Sequence, residues 1–322
     1  MERVVDPEIK KPSLLRAHSE KIAFVVMVLV LVAAPFLTYP LFVMQALCFA
    51  LFALAFNLLI GYVGLLSFGH ALYFGWASYL SAHAAKVWGF SPELAILTGT
   101  LTAAILGLLA GALAIRRQGI YFAMITLALA QMMYFVALRM KFTGGEDGIQ
   151  GVPRGHLFGI VDLGNATNMY FVVLVIFLGG FLFIHRIIHS PFGEVLKAIR
   201  ENESRAISLG YKTDRYKLVA FVLSASLAGL AGATKALVVQ IASLTDVYWP
   251  MSGEVVLMSL VGGLGTIFGP IIGSFVILAM QYKLSALGEW VLVIQGIIFV
   301  TCVLLFRRGI VGELANWLRI RL

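Results

Sequence analysis

The sequence predicts an all-α polytopic membrane protein, and three observations carry that reading. Of its 322 residues 61% are hydrophobic and only 12% charged, about half the charged fraction of a typical soluble domain. Apolar runs close to the ~20 residues that a spanning helix needs recur along the whole chain. The basic residues fall on one side of those runs, as the positive-inside bias requires. That bias also accounts for the net charge of +8, so no nucleic-acid partner is inferred. Cys48 and Cys302, the two cysteines, both sit in apolar runs, which excludes a disulfide framework or a cysteine metal site.

Residues 1–21 are polar and mixed in charge, and no small-residue cleavage site follows the first apolar run; this reads as an N-terminal tail and a retained first helix. The apolar runs are 22–38, 41–60, 63–85, 92–115, 119–138, 168–189 and 216–241, then the glycine-interrupted region 252–283, and last 290–306. With the N-terminus inside, 18 of the 24 Lys and Arg fall on the inner side, and residues 307–322 form an inner C-terminal tail. Parity then requires region 252–283 to begin and end outside, as two short crossings or a re-entrant hairpin turning at Gly262, Gly263 and Gly265. The expected total is about ten membrane segments, with 22–306 as the transmembrane unit. A broken helix at membrane depth is tolerated only where protein or a water-filled cavity covers it. The break is therefore a candidate pathway element. The outer loop 142–167, long and rich in glycine, is a binding surface or a passive connection.

Polar groups inside the runs are few: Asn57, His70, Gln131, Lys235, Glu254 and Gln295. Burying such groups in lipid is costly, so each is a functional candidate by default. Asn57, His70, Gln131 and Glu254, with the three glycines of the break, are the pathway or gate candidates. His70 can equally be a satisfied packing histidine. Lys235 lies late enough in its run to snorkel to the outer surface, and Glu254 is expected at the interface. His185 and His189 share a helix face at i, i+4, but no carboxylate or cysteine completes the set and they flank Arg186 at the inner interface, so they read as surface residues. Small residues at helix-packing spacing (Ser67, Ala71 and Gly75; Gly107 and Gly111; Gly265, Gly269 and Gly273) read as close-packing faces.

Enzyme signatures are missing: the chain has no H-E-x-x-H and no G-x-S-x-G. The nearest approach to a Walker A loop, Gly229 to Lys235, has Thr234 where the second glycine must stand. If transport is ATP-driven, another subunit must hold the nucleotide.

One long charged island interrupts the apolar chain, from Ser190 to Lys217. Ser190 followed by Pro191 reads as a helix start, and Gly210 as its stop. Val195, Leu196, Ile199, Ala206 and Ile207 make an apolar stripe, with charges of both signs opposite. The expectation is one short amphipathic helix on the inner surface. Docking to a soluble partner, lying on lipid and an ordinary loop are its three readings. Mixed charge disfavours lipid, which prefers Lys and Arg alone.

Six stretches stand out together: GYVGLLSFGHALYFG at 61–75, RRQGIYFAMITLALAQ at 116–131, FTGGEDGIQGVP at 142–153, SPFGEVLKAIRENESRAISLGY at 190–211, SGEVVLMSLVGGLGTIFGPIIG at 252–273 and FRRGIVG at 306–312. In them the chain resembles a known family, the permease subunits of branched-chain amino acid ABC importers, LivM type. The resemblance implies the vitamin B12/ribose-importer type of permease fold in a bacterial inner membrane, with both termini cytoplasmic. Implied partners are a second permease of the LivH type, two cytoplasmic ATPases, a periplasmic binding protein and membrane lipid. The chain itself would hold no cofactor; ATP and Mg would belong to the ATPases. The island would be the coupling helix, carried by Gly193, Leu196, Ile199, Arg200, Glu201, Asn202, Glu203, Arg205, Ala206 and Gly210. Related permeases carry urea, short amides or aromatic acids, so the substrate stays open. A secondary transporter or channel working without an ATPase is the rival class. It would need ionisable pairs or ion-coordinating broken helices near the midplane.

Overall fold

The computed structural model describes residues 14–285, 288, 290–305 and 309–317. The tail expected at 1–21 is thus described only from Leu14, and Arg307, Arg308, Arg319 and Arg321 lie outside the described residues. The described chain is a helical bundle with two small two-stranded pairings. Helix α1 runs Leu14–Leu37, so the last part of the expected tail is already helical. It is followed by α2 (Pro40–Asn57), α3 (His70–Lys86), α4 (Pro92–Ala114), α5 (Ile120–Arg139) and α6 (Ala166–Ile188). Two short helices, α7 (Pro191–Glu201) and α8 (Glu203–Ser208), precede α9 (Thr213–Val239). Then come α10 (Trp249–Gly262), α11 (Gly269–Leu284), α12 (Trp290–Leu305) and α13 (Gly309–Trp317).

Six helical segments are long and apolar enough to cross a membrane: Glu20–Leu37, Pro40–Val63, Pro92–Ala114, Ile120–Arg139, Ala166–Ile188 and Thr213–Val239. Helices α3, α10, α11 and α12 are shorter, at 17, 14, 16 and 16 residues. Around the bundle, Leu29, Val30, Leu109, Met124, Val175 and Ile297 are each at least 60% exposed, an apolar girdle that lipid, not water, would cover. At its centre α2 is buried on nearly every side, with Leu47, Phe52 and Phe56 out of solvent contact.

The close packing comes from small side chains. Gly107 and Gly111 of α4 face Ala225, Leu218 and Phe221 of α9, leaving no room for a Cβ, as the predicted close-packing face requires. The other two predicted faces need correction. Ser67 lies outside any helix, because α2 continues as a single π-helical turn, Leu58–Val63, and Gly64 ends it in the left-handed region (φ 82°). The third span accordingly starts at His70 rather than at residue 63. Gly265 lies in a turn, so only Gly269 and Gly273 share a helix.

Alternation of chain direction gives the bundle two ends. One carries α7 and α8. The other carries the loop 140–165 and the segment 241–248, where Ile149 and Gln150 pair antiparallel with Ala242 and Ile241. Helix α10 starts from this second end, stops at Gly262, and the chain returns through α11. That is the broken hairpin expected from 252–283, with its turn at 263–268. At about 1.5 Å per residue, α10 reaches only ~21 Å, short of a ~30 Å hydrocarbon core. Protein closes the gap: Gly309 at the start of α13 abuts Gly263, and Val311 is buried there. The expected C-terminal tail is therefore partly built into the bundle.

Lys235 does not snorkel. Its Nζ lies 2.6 and 2.7 Å from the two carboxylate oxygens of Asp246, which is almost wholly buried. Asp246 lies in the short segment after α9, so the sequence separation hides a pair that folding closes.

Candidate functional site

The island folds as two helices, not one. Ser190 caps α7 by accepting from the Gly193 N–H, with Pro191 in the first turn, as its sequence predicts. At Asn202 the backbone turns extended (φ −158°, ψ 99°), and its Oδ1 accepts from the Arg205 N–H to start α8. Asn202 is a second cap within the expected single helix. The stripe is split accordingly. Leu196, Ile199 and Ala206 are buried, while Ile207 is 55% exposed and Leu209 71%. Gly193 is buried, and a Cβ there would strike the Ile187 and Ile188 carbonyls. Glu201, Arg205 and Gly210 face outward.

Glu203 is tied into the fold. It pairs with Lys217 of α9, whose side chain is 3% exposed, and accepts from Gln118 Nε2 at 2.8 Å. One carboxylate thus anchors α8 to α9 and to the α4–α5 connection. Removing either partner of so buried a pair leaves an uncompensated charge.

Arg200 joins the two sets of residues that sequence singled out. Its Nη1 donates to the Gly61 carbonyl in the π-helical turn, and its side chain packs over Gly64 and against Gly265. On the same turn of chain, Asn57 grips the break from both sides. Its Nδ2 donates to the Thr266 carbonyl (2.9 Å) and its Oδ1 accepts from the Gly265 N–H (3.0 Å). The Tyr62 hydroxyl donates to the Gly265 carbonyl at 3.0 Å. The Thr266 hydroxyl donates to Gly263 and accepts from the Gly269 N–H, closing the turn. Gly263 and Gly265 have φ of 126° and 75°, values that other residues rarely adopt. Asn57, Gly262, Gly263, Gly265 and Arg200 therefore form one polar node between the surface helix and the broken hairpin. Tyr62 and Thr266 belong to it and were not singled out from sequence; a hydroxyl in an apolar run carries little signal until its partner is known.

The other candidates lie elsewhere. His70 is fully buried at the start of α3, ringed edge-on by Phe56, Tyr73 and Phe221, with Nε2 2.8 Å from the Ser224 hydroxyl. Ser224 in turn donates to the Ala55 carbonyl, so this chain of contacts ties α3 to α9 and α2. Glu254 is half-buried two turns from the node on α10, and Gln131 is half-buried on α5. Neither is brought to the node.

Residues 40–303 match the family described as branched-chain amino acid transport system / permease component. The high-affinity branched-chain amino acid transport system permease protein LivM of Escherichia coli is 26% identical over 271 residues, covering 77% of this chain and 64% of that protein. A probable branched-chain amino acid transport permease protein LivH of Methanocaldococcus jannaschii is 30% identical over 165 residues, 47% of this chain and 49% of the relative. The ribose import permease protein RbsC of Bacillus subtilis is 32% identical over 202 residues, 56% of this chain and 58% of the relative. The chain thus spans slightly under two thirds of the LivM sequence it matches. No solved structure matches it significantly.

Proposed function

As the chain belongs to the branched-chain amino acid transport permease family, we propose that it forms half of the translocation path of an ATP-driven importer in a bacterial inner membrane. In this reading it pairs with a related permease, two ATPases bind its inner surface, and a binding protein delivers the substrate from outside. No nucleotide site is assigned to this chain.

The single observation that supports the reading best is the two-sided construction of α7–α8. Its inward face is fixed to the transmembrane helices by Arg200 and Glu203. Its outward face presents Ile207 and Leu209 in a segment whose Glu201 and Arg205 are also exposed. An exposed apolar pair rimmed by charges of both signs is the composition of a protein-docking patch. A push on that patch can reach the α10–α11 turn through Arg200, which packs against Gly265. Coupling by this route needs a rigid lever with a partner at one end and the broken hairpin at the other, and α7–α8 joins those two ends.

Branched-chain amino acids are the substrate we propose, following the LivM relatives. The ribose-permease relative supports a second reading, a sugar, because this scaffold serves both cargoes among similar chains. The test is co-expression with the neighbouring genes, purification through this chain, and uptake in proteoliposomes. Wild type should bring down an ATPase and import leucine in preference to ribose and urea. Ile207→Glu with Leu209→Glu should lose the ATPase from the purified complex and reduce uptake at least tenfold. Wild-type purification without any ATPase would sink the importer reading; intact association in the double variant would sink the docking patch.

A further inference from the structure

We propose that Glu20, His185 and His189 form a site for a divalent transition-metal ion of the zinc class, fastening α1 to the end of α6. The two histidines share a helix face, and the carboxylate that completes the set arrives from a helix some 165 residues away. One ligand atom from each of the three lies within 4.8 Å of the others. Nε2 of His185 and Nε2 of His189 point at the same Glu20 oxygen, at 4.0 and 3.8 Å. Small local adjustments close such a triangle around an ion bound at ~2.0–2.2 Å.

Two further features prepare the histidines as ligands. His189 Nδ1 lies 2.9 Å from the His185 carbonyl; donating there, it leaves the Nε2 lone pair free and aimed at the site, the outer-shell arrangement usual for metal-bound imidazole. The His185 ring stacks along Phe181, 6.5 Å between centroids, which restrains its rotation. The alternative, a simple ion pair with Glu20, needs at least one imidazolium, and the two rings lie only 4.3 Å apart. Charging both would set like charges side by side, whereas two neutral imidazoles and one carboxylate suit a zinc-like cation. Three protein ligands leave a position for water or another donor. All three side chains are about two-fifths exposed, so an ion can enter without unfolding the bundle.

The placement gives the site a consequence. His189 directly precedes Ser190, the cap of α7. An ion here would hold α1 against the root of α7–α8.

The test uses the full-length untagged chain in detergent micelles, with Zn²⁺ alone as ligand and Co²⁺ as a spectroscopic probe. Wild type should bind one equivalent of Zn²⁺ saturably, show the visible bands of imidazole-ligated Co²⁺, and melt at a higher temperature with Zn²⁺ than without. Glu20→Gln should weaken Zn²⁺ at least tenfold, and His185→Asn with His189→Asn should abolish both the bands and the melting shift. Metal-free melting temperatures establish that the variants fold. If the double variant does not, Glu20→Gln at a half-exposed position decides alone. No saturable binding by wild type, or unchanged affinity in Glu20→Gln, overturns the proposal. The readout involves neither ATPase nor transport, so it stands apart from the proposed function.

Discussion

Asn57 is the residue on which the node turns. It is 2% exposed and uses both ends of its amide on two consecutive residues of the 263–268 turn. An amide that both donates and accepts holds a backbone segment in register in a way that one hydrogen bond cannot. Asn57→Ala removes the partner of the part-buried Gly265 N–H and Thr266 carbonyl, and a group left unsatisfied costs up to about 1–3 kcal/mol. The expected result is a lower melting temperature in detergent and faster proteolysis at 263–268. Asn57→Asp should fall between alanine and wild type only while its carboxyl is protonated, when one oxygen accepts and the O–H donates in place of the amide. Gly61→Ala gives an independent check, because its Cβ would lie 2.5 Å from Asn57 Oδ1 and 2.9 Å from the Gly265 N. A melting profile unchanged in both variants would show that the turn is held by something other than this clamp. Asn57 was legible in sequence as a costly polar residue in an apolar run. Its partner was not, since a link of 209 residues leaves no local trace.

At the scale of elements, the island shows how a correct stripe can conceal a break. Val195, Leu196, Ile199, Ala206 and Ile207 satisfy a helical period closely enough that one helix is the natural reading. The competing signal was Asn202 with Glu203 after it, a residue that favours caps over helix interiors because its side chain bonds nearby backbone N–H groups. Here the cap prevails, and the benefit is orientation: a second helix can turn its apolar pair outward while the first keeps Leu196 and Ile199 inside. Asn202→Ala removes the Oδ1 acceptor for Arg205 and should cost about 1 kcal/mol. In a six-residue helix that loss should appear as faster hydrogen exchange at 203–208, with exchange in α7 unchanged. Equal acceleration in both helices would show that the Asn202 cap holds α7 as well as α8. The broken hairpin fared better from sequence, because charge parity and a run of glycines constrained it together. The approach of Glu20 to His185 and His189 was not legible, since Glu20 lies on another helix and spacing rules see only one helix at a time.

For the whole molecule, the decisive quantity is the asymmetry of charge. Eighteen of 24 Lys and Arg are assigned to one side, and the fold gathers Arg186, Arg200, Arg205, Lys212, Arg215 and Lys217 at the end that carries α7 and α8. The opposite end carries the hairpin of His156–Leu157 with Val161–Asp162, where Phe158 is 72% and Ile160 86% exposed. The positive-inside rule predicts that the first end faces the cytoplasm; the proposed docking role for Ile207 and Leu209 requires the same placement. A single cysteine at each end distinguishes the two orientations. In a chain with Cys48 and Cys302 replaced, Phe158→Cys should react with a membrane-impermeant maleimide in intact spheroplasts. Ile207→Cys should react only after permeabilisation. Both positions are exposed, so neither requires local opening to be labelled, and a difference between them reports sidedness rather than burial. Labelling of Ile207→Cys in intact spheroplasts would invert the orientation and remove the ATPase from reach of α7–α8, whatever family the chain belongs to.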